Sequence, residues 1–219
     1  MGVSTPKYWT LILKSKRSPF VHFDTLRRVP TRRFPISPSH LLILFAIILA
    51  TALIELSMHR LLISKSHHVR LWASTNTSEL SQQIADACSF SHILHGLIFY
   101  AGLRVAFRNR LPFAVCLIIA VSVECAWEIL ENTDFVIDRY RRSTASLDYR
   151  GDTVLNSLFD ILFATLGFFL AARLPVRATI ALFVAIELVS LLLIRDNLTL
   201  NVLMLLHPVP SIKHWQMGG

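Results

Sequence analysis

Along the chain, long apolar runs alternate with short polar or basic segments. Each run approaches the roughly 20 residues that a helix rising 1.5 Å per residue needs to cross a 30 Å hydrocarbon layer. The pattern predicts about five such helices, near residues 39–59, 89–107, 111–131, 153–174 and 178–195. The second is the least apolar, since it carries His92, His95 and Arg104. LTLNVLMLL, residues 198–206, is too short to span and is expected to lie in the interface or tuck against the bundle. Pro112 and Pro175 fall at helix beginnings or just past ends, where proline is tolerated. Gly102 and Gly167 are placed to let helices approach closely. STNTSELSQQ, residues 74–83, reads as a polar loop.

The fold class expected is therefore all-α, a polytopic transmembrane bundle of about five spans. Residues 1–38 read as a basic, flexible cytoplasmic leader, residues 39–195 as the bundle, and residues 196–219 as a short interfacial tail. No cleavable signal peptide is visible, because the first apolar run lacks a small-residue exit.

Composition supports this reading. The 219 residues are 53% hydrophobic and only 16% charged, against about 25% charged in soluble domains. The formal net charge is +8. Much of it lies early, in Lys7, Lys14, Lys16, Arg17, Arg27, Arg28, Arg32 and Arg33. Beside an apolar helix such a run suits anionic lipid on the cytoplasmic side rather than nucleic acid. Arg104, Arg108 and Arg110, and then Arg173 and Arg177, fall in loops on the same side if the helices alternate. The expected topology is N-terminus in and C-terminus out. DRYRRSTASLDYRGD places Arg139, Arg141, Arg142 and Arg150 on the far side, though among aspartates. Cys88, Cys116 and Cys125 form no metal or redox pair motif; Cys116 reads as a small core residue.

The polar residues within the apolar runs change the picture. Glu124, Glu128 and Glu131 recur at spacings of four and three, which puts them on one helix face. Thr51, Glu55 and His59 share a face of the first helix, Cys88, His92 and His95 of the second, and Asp152, Asn156 and Asp160 of the fourth. All fall in the halves that the topology places outside. An ionisable group at bilayer depth costs about 2.5–3.5 kcal/mol on insertion scales, so such groups persist where they meet one another or a wet cavity. The expected site is a polar cluster of His92, His95, Glu124, Glu128, Asp152, Asn156 and Asp160, open to the outer face. The plainer alternatives are an interfacial helix end for the glutamates, packing roles for the histidines, and an N-cap role for Asp152. Asp160 lies about two turns, roughly 12 Å, beyond Asp152 and needs a partner. Trp127 and Tyr140 read as interfacial aromatics, and Glu187 with Arg195 as a structural pair. Arg139, Arg141, Arg142 and Arg150 are either a solvated loop or a clamp for a headgroup phosphate.

SFSHILHG, ECAWEILENTDFVIDRYR and LDYRGDTVLNSLFDILFATLGF together resemble an uncharacterised family of bacterial, mainly alphaproteobacterial, multi-pass inner-membrane proteins of the UPF or DUF type. The resemblance covers about residues 38–195 and implies the cell inner membrane as location; it carries no established activity or catalytic residue. The D-x-x-x-N-x-x-x-D stretch of the fourth helix is more distantly similar to VanZ-like membrane proteins.

Three roles stay open. One is an enzyme that binds or processes a lipid or lipid-linked substrate at the periplasmic side, by a divalent metal or by acid–base chemistry. Another is a non-catalytic accessory or small transport protein, and the third a scaffold for a membrane protein partner. HExxH, G-x-S-x-G, PSGH and glycine-rich phosphate motifs are absent, so no catalytic residue, cofactor or metal is established. Ser91 and His95 are four apart, a spacing that suits a nucleophile pair but also arises by chance.

Overall fold

A computed structural model describes residues 34–74, 77–146 and 148–218. The first 33 residues of the basic leader lie outside the described residues. Eight helices and no strand occur among the described residues: α1 (Pro38–Ser57), α2 (Ser89–Ala106), α3 (Phe113–Glu131), α4 (Asp134–Ser143), α5 (Val154–Arg173), α6 (Val176–Ile194), α7 (Leu198–Leu206) and α8 (Pro210–Gln216). Four of them, α1, α3, α5 and α6, are long and apolar enough to cross a membrane. α2 has comparable length, but His92, His95 and Arg104 dilute its apolar character.

Local chemistry sets the boundaries. Ser37 caps α1 by accepting the His40 N–H, while His40 Nδ1 accepts the Ser37 N–H at 3.1 Å, a reciprocal box. Pro112 and Pro175 precede α3 and α6, where their missing N–H costs nothing. α5 begins at Thr153, whose hydroxyl accepts from Asn156 N at 3.2 Å. The cap is thus Thr153, not Asp152, because the threonine reaches the third helical N–H and leaves the aspartate free for other partners. The first two N–H groups of α5 donate to Leu61 O at 2.9 Å and Leu62 O at 3.1 Å. The loop after α1 therefore satisfies the amides that a buried helix end leaves open.

Packing divides the bundle lengthwise. Toward one end, Phe113, Cys116, Leu117, Ala120, Val121, Ile161 and Phe168 form a dry core. Phe34 stacks on Phe113 at 4.1 Å between ring centroids. α2 and α5 cross at two glycines: a Cβ on Gly96 would lie 1.9 Å from Ala164 O, and one on Gly167 would lie 2.1 Å from Ile93 O. Gly102, expected at such a contact, faces open space. The other end is covered by residues 58–74 and 77–88, by residues 132–146 with α4 among them, by residues 148–153 and by the tail. α1 and α6 flank the bundle and leave large apolar side chains exposed, among them Leu42, Phe45, Leu53, Leu192 and Leu193. Exposed apolar area on this scale has no place in water and suits lipid.

The tail tucks against the loop end. Glu187 of α6 accepts Leu198 N at 3.0 Å and Thr199 N at 3.3 Å, which caps the first N–H groups of α7. Arg139 Nε donates to Leu205 O at 2.9 Å and so closes the other end of α7. Met204 is fully buried. Glu187 does not pair with Arg195, because capping occupies its carboxylate and Arg195 donates instead to Trp215 O at 2.9 Å.

Candidate functional site

The ionisable residues of three helices meet at the loop end of the bundle. His92 and His95 lie in the first two turns of α2, Glu124 and Glu128 in the last two turns of α3, and Asp160 in the second turn of α5. The tight glycine crossing draws α2 onto α5 and brings these turns together. His92 Nδ1 lies 2.6 Å from Glu124 Oε1 and 3.2 Å from Glu128 Oε1. Its other nitrogen, Nε2, lies 3.8 Å from Asp160 Oδ2. His95 Nδ1 lies 3.0 Å from Glu124 Oε2. Glu124 and Glu128 are fully buried, and Asp160 and His92 nearly so.

Hydrogen bonding is uneven. Glu124 uses both oxygens on the histidines, whereas neither oxygen of the fully buried Glu128 has a hydrogen-bond partner, and Asp160 Oδ1 has none. Buried carboxylates without partners are costly unless protonated or bound to a cation. Two donor sets, His92–His95–Glu124 and His92–Glu128–Asp160, each have their ligand atoms within 4.8 Å of one another.

A second layer of polar groups surrounds this centre. Asn132, fully buried, donates to Asp152 Oδ2 and Glu128 O, both at 3.1 Å, and accepts from Asp152 N at 2.7 Å. Tyr149 O–H donates to Asp152 Oδ1 at 3.1 Å and to Glu131 Oε1 at 3.4 Å. Burial raises the Asp152 carboxyl to about 6, against the opposing pull of His92 and of the hydroxyls of Ser81 and Tyr149. Asn156 Nδ2 donates to Gln83 O at 2.9 Å. Asp86, also raised by burial, accepts Ser81 N and Cys88 N, each at 2.7 Å, and so anchors the approach to α2. Glu55, on α1, is buried beside Ser157.

The polar-cluster residues thus divide. His92, His95, Glu124, Glu128 and Asp160 form one centre, and Asp152 and Asn156 belong to the surrounding layer. Among the basic candidates, Arg139 binds main-chain oxygens of α7, Arg141 the oxygen of Tyr149, and Arg142 Nε the oxygen of Asp138 at 3.1 Å. The Arg150 side chain is exposed. Tyr140 is buried rather than interfacial, packed on Tyr149 at 4.7 Å with its hydroxyl accepting from Asn201 at 2.7 Å. Trp127 packs edge-on against His95 at 5.9 Å. Ser91 Oγ donates to Cys88 O at 2.6 Å, so its hydroxyl serves the first turn of α2. The three cysteines are free thiols.

Asn132, Tyr149, Asp86 and Gln83 escape a sequence reading. Asn132 follows Glu128 by four, so helix spacing offered a signal for it. The other three sit in irregular segments, where no periodicity points inward; Gln83 closes the stretch that reads as a plain polar loop.

Two openings adjoin the centre. A small cavity of about 30 Å³ is lined by His92, His95, Trp127, Asp152 and Asp160. A cleft of about 320 Å³, bounded by Thr77, Cys88, Ser146, Tyr149 and Asp196, shares Leu80, Cys88, Tyr140 and Tyr149 with it. The first has the volume of a single water or ion; the second has the size of small-ligand sites.

Residues 55–218 match the family described as Protein of unknown function (DUF2585). The chain belongs to this family. It is 47% identical to a UPF0314 protein of Rhizobium etli over 174 residues, 79% of this chain and 89% of the relative. It is 51% identical to a UPF0314 protein of Paracoccus denitrificans over 78% of this chain and 89% of that one. A UPF0314 protein of Sphingopyxis alaskensis is 49% identical over 84% of this chain and 98% of its own length. None of these three relatives has a VanZ-like name. No solved structure matches the chain.

Proposed function

We propose that this is a multi-pass protein of the bacterial inner membrane that binds or processes a lipid or lipid-linked substrate at its periplasmic side. The observation that carries the reading is the buried His92–Glu124–Glu128–Asp160 centre at one end of an otherwise dry, lipid-suited bundle. Burial on this scale is expensive and serves no packing purpose that leucine would not serve better. The adjoining cleft suits a polar headgroup, and the small cavity that shares four residues with it is lined by His92 and Asp160. Apolar faces on α1 and α6 leave the acyl chains of a substrate in their own solvent.

Orientation is part of the proposal: the N-terminus inside, with Ser146 and the rest of the loop end in the periplasm. A cysteine at Ser146 then reacts with an impermeant thiol reagent in intact cells, while one at Ser18 does not.

Lipid profiling of a deletion strain tests the function. The expected result is a shift in at least one lipid class, restored by the wild-type chain and not by His92→Ala present at equal membrane level. An unchanged profile contradicts lipid chemistry and favours the non-catalytic accessory or scaffold reading.

A further inference from the structure

We infer that His92, Glu128 and Asp160 bind one divalent first-row transition metal ion of the manganese, iron and zinc class, with Glu124 as the carboxylate that orients His92. The inference concerns the same centre as the lipid reading but does not need it, since a metal site stands with or without lipid chemistry.

His92 is held in a definite way. Its Nδ1 lies 2.6 Å from Glu124 Oε1, a charge-assisted hydrogen bond if the proton is on Nδ1. That leaves Nε2 with a free lone pair. This nitrogen faces Asp160 Oδ2 at 3.8 Å, too long for a hydrogen bond. The distance suits two ligands on one ion, since bonds of about 2.0–2.2 Å hold ligand atoms roughly 3–4 Å apart. A carboxylate on one imidazole nitrogen and a metal on the other is the usual arrangement for a metal-bound histidine. His95 in turn donates to Glu124 Oε2 and holds that carboxylate in place.

The unpartnered oxygens point the same way. Glu128 is fully buried with neither oxygen hydrogen-bonded, its Oε1 lying 3.2 Å from His92 Nδ1, and Asp160, 4% exposed, has Oδ1 unpartnered. Both belong with His92 to a donor set whose atoms lie within 4.8 Å of one another. No lysine or arginine ion pair reaches either carboxylate among the described residues. A dication neutralises the two carboxylates and satisfies their lone pairs at once. One imidazole with two carboxylates is a borderline-hard set, which suits manganese, iron or zinc better than the thiolate-seeking copper(I). His92 and Asp160 also line the 30 Å³ cavity, which leaves room for one metal-bound water on the side of the cleft.

The test is metal content of the tag-free, detergent-purified full chain after equilibration with Mn²⁺ or Zn²⁺ and removal of free ion. The expected result is about one ion per chain, lost in Glu128→Gln and in Asp160→Asn. Glu124→Gln keeps the ion but binds it 10- to 100-fold more weakly, the usual effect of losing an outer carboxylate. Cys88→Ser binds as the wild type does. Where a variant fails to fold, the wild type decides alone: Mn²⁺ or Zn²⁺ must raise its Tm with concentration, and EDTA must reverse the rise. A wild type that holds no stoichiometric ion and shows no such rise overturns the site, as does full binding by folded Glu128→Gln. Either failure leaves the lipid profile of the deletion strain to be read independently.

Discussion

Gly167 lies so close to Ile93 that a Cβ on it would fall 2.1 Å from the Ile93 carbonyl oxygen. With Gly96 against Ala164, this contact sets the α2–α5 spacing that brings His92 and Asp160 together. Gly167→Ala and Gly96→Ala must therefore push the helices apart, at a cost of about 1–3 kcal/mol or more. Gly102→Ala meets nothing within 4 Å and should stabilise α2 by up to about 1 kcal/mol, since alanine is the better helix former. Thermal unfolding of the three variants in one detergent checks the contrast; equal Tm values for all three would contradict it.

Glu187 works as a cap for α7 and not as a partner of Arg195. Glu187→Ala should release the start of α7 at a cost of about 1–2 kcal/mol. Hydrogen exchange is then expected to accelerate across residues 198–206 while α3 and α5 stay protected. Arg195→Ala should leave that exchange unchanged, and matching acceleration in both variants would show that the two side chains act as a pair.

Asp196 gives the tail a pH dependence. Burial, with a smaller push from Glu187, raises its carboxyl from 3.8 to about 6, and the Asn197 N–H and Gln216 amide oppose the shift. The folded chain thus holds this proton more tightly than the unfolded chain does. The resulting stability is fully present below about pH 4 and is lost as pH rises through about 6, an effect of up to about 3 kcal/mol before solvent screening. Asp196→Asn removes the titration. Its Tm minus that of the wild type should rise between pH 4 and 7, and a flat difference would contradict the assignment.

Much of the helical frame is legible in the sequence. Apolar length and the prolines at 112 and 175 place the long helices within a few residues of their observed ends. Helix spacing also marks Glu124, Glu128, His92, His95 and Asp160, because one buried face repeats every three to four residues. The loop end is harder to read. Asp86, Gln83 and Tyr149 turn inward from segments without a period, and Thr153 takes the cap that Asp152 also suits. Tyr140 has an interfacial signature, yet the α4–α7 contact buries it. The partners of Glu187 and Arg195 depend on where the tail folds back, which local pattern does not encode.

His92 and Glu124 act as one buried unit, and a double-mutant cycle in thermal or denaturant unfolding is the sharpest check of that coupling. His92→Ala alone should cost about 3–5 kcal/mol, because it strands a buried carboxylate. In the Glu124→Gln background the same change should cost at least 1 kcal/mol less. Costs that add to within about 0.5 kcal/mol would contradict the shared centre.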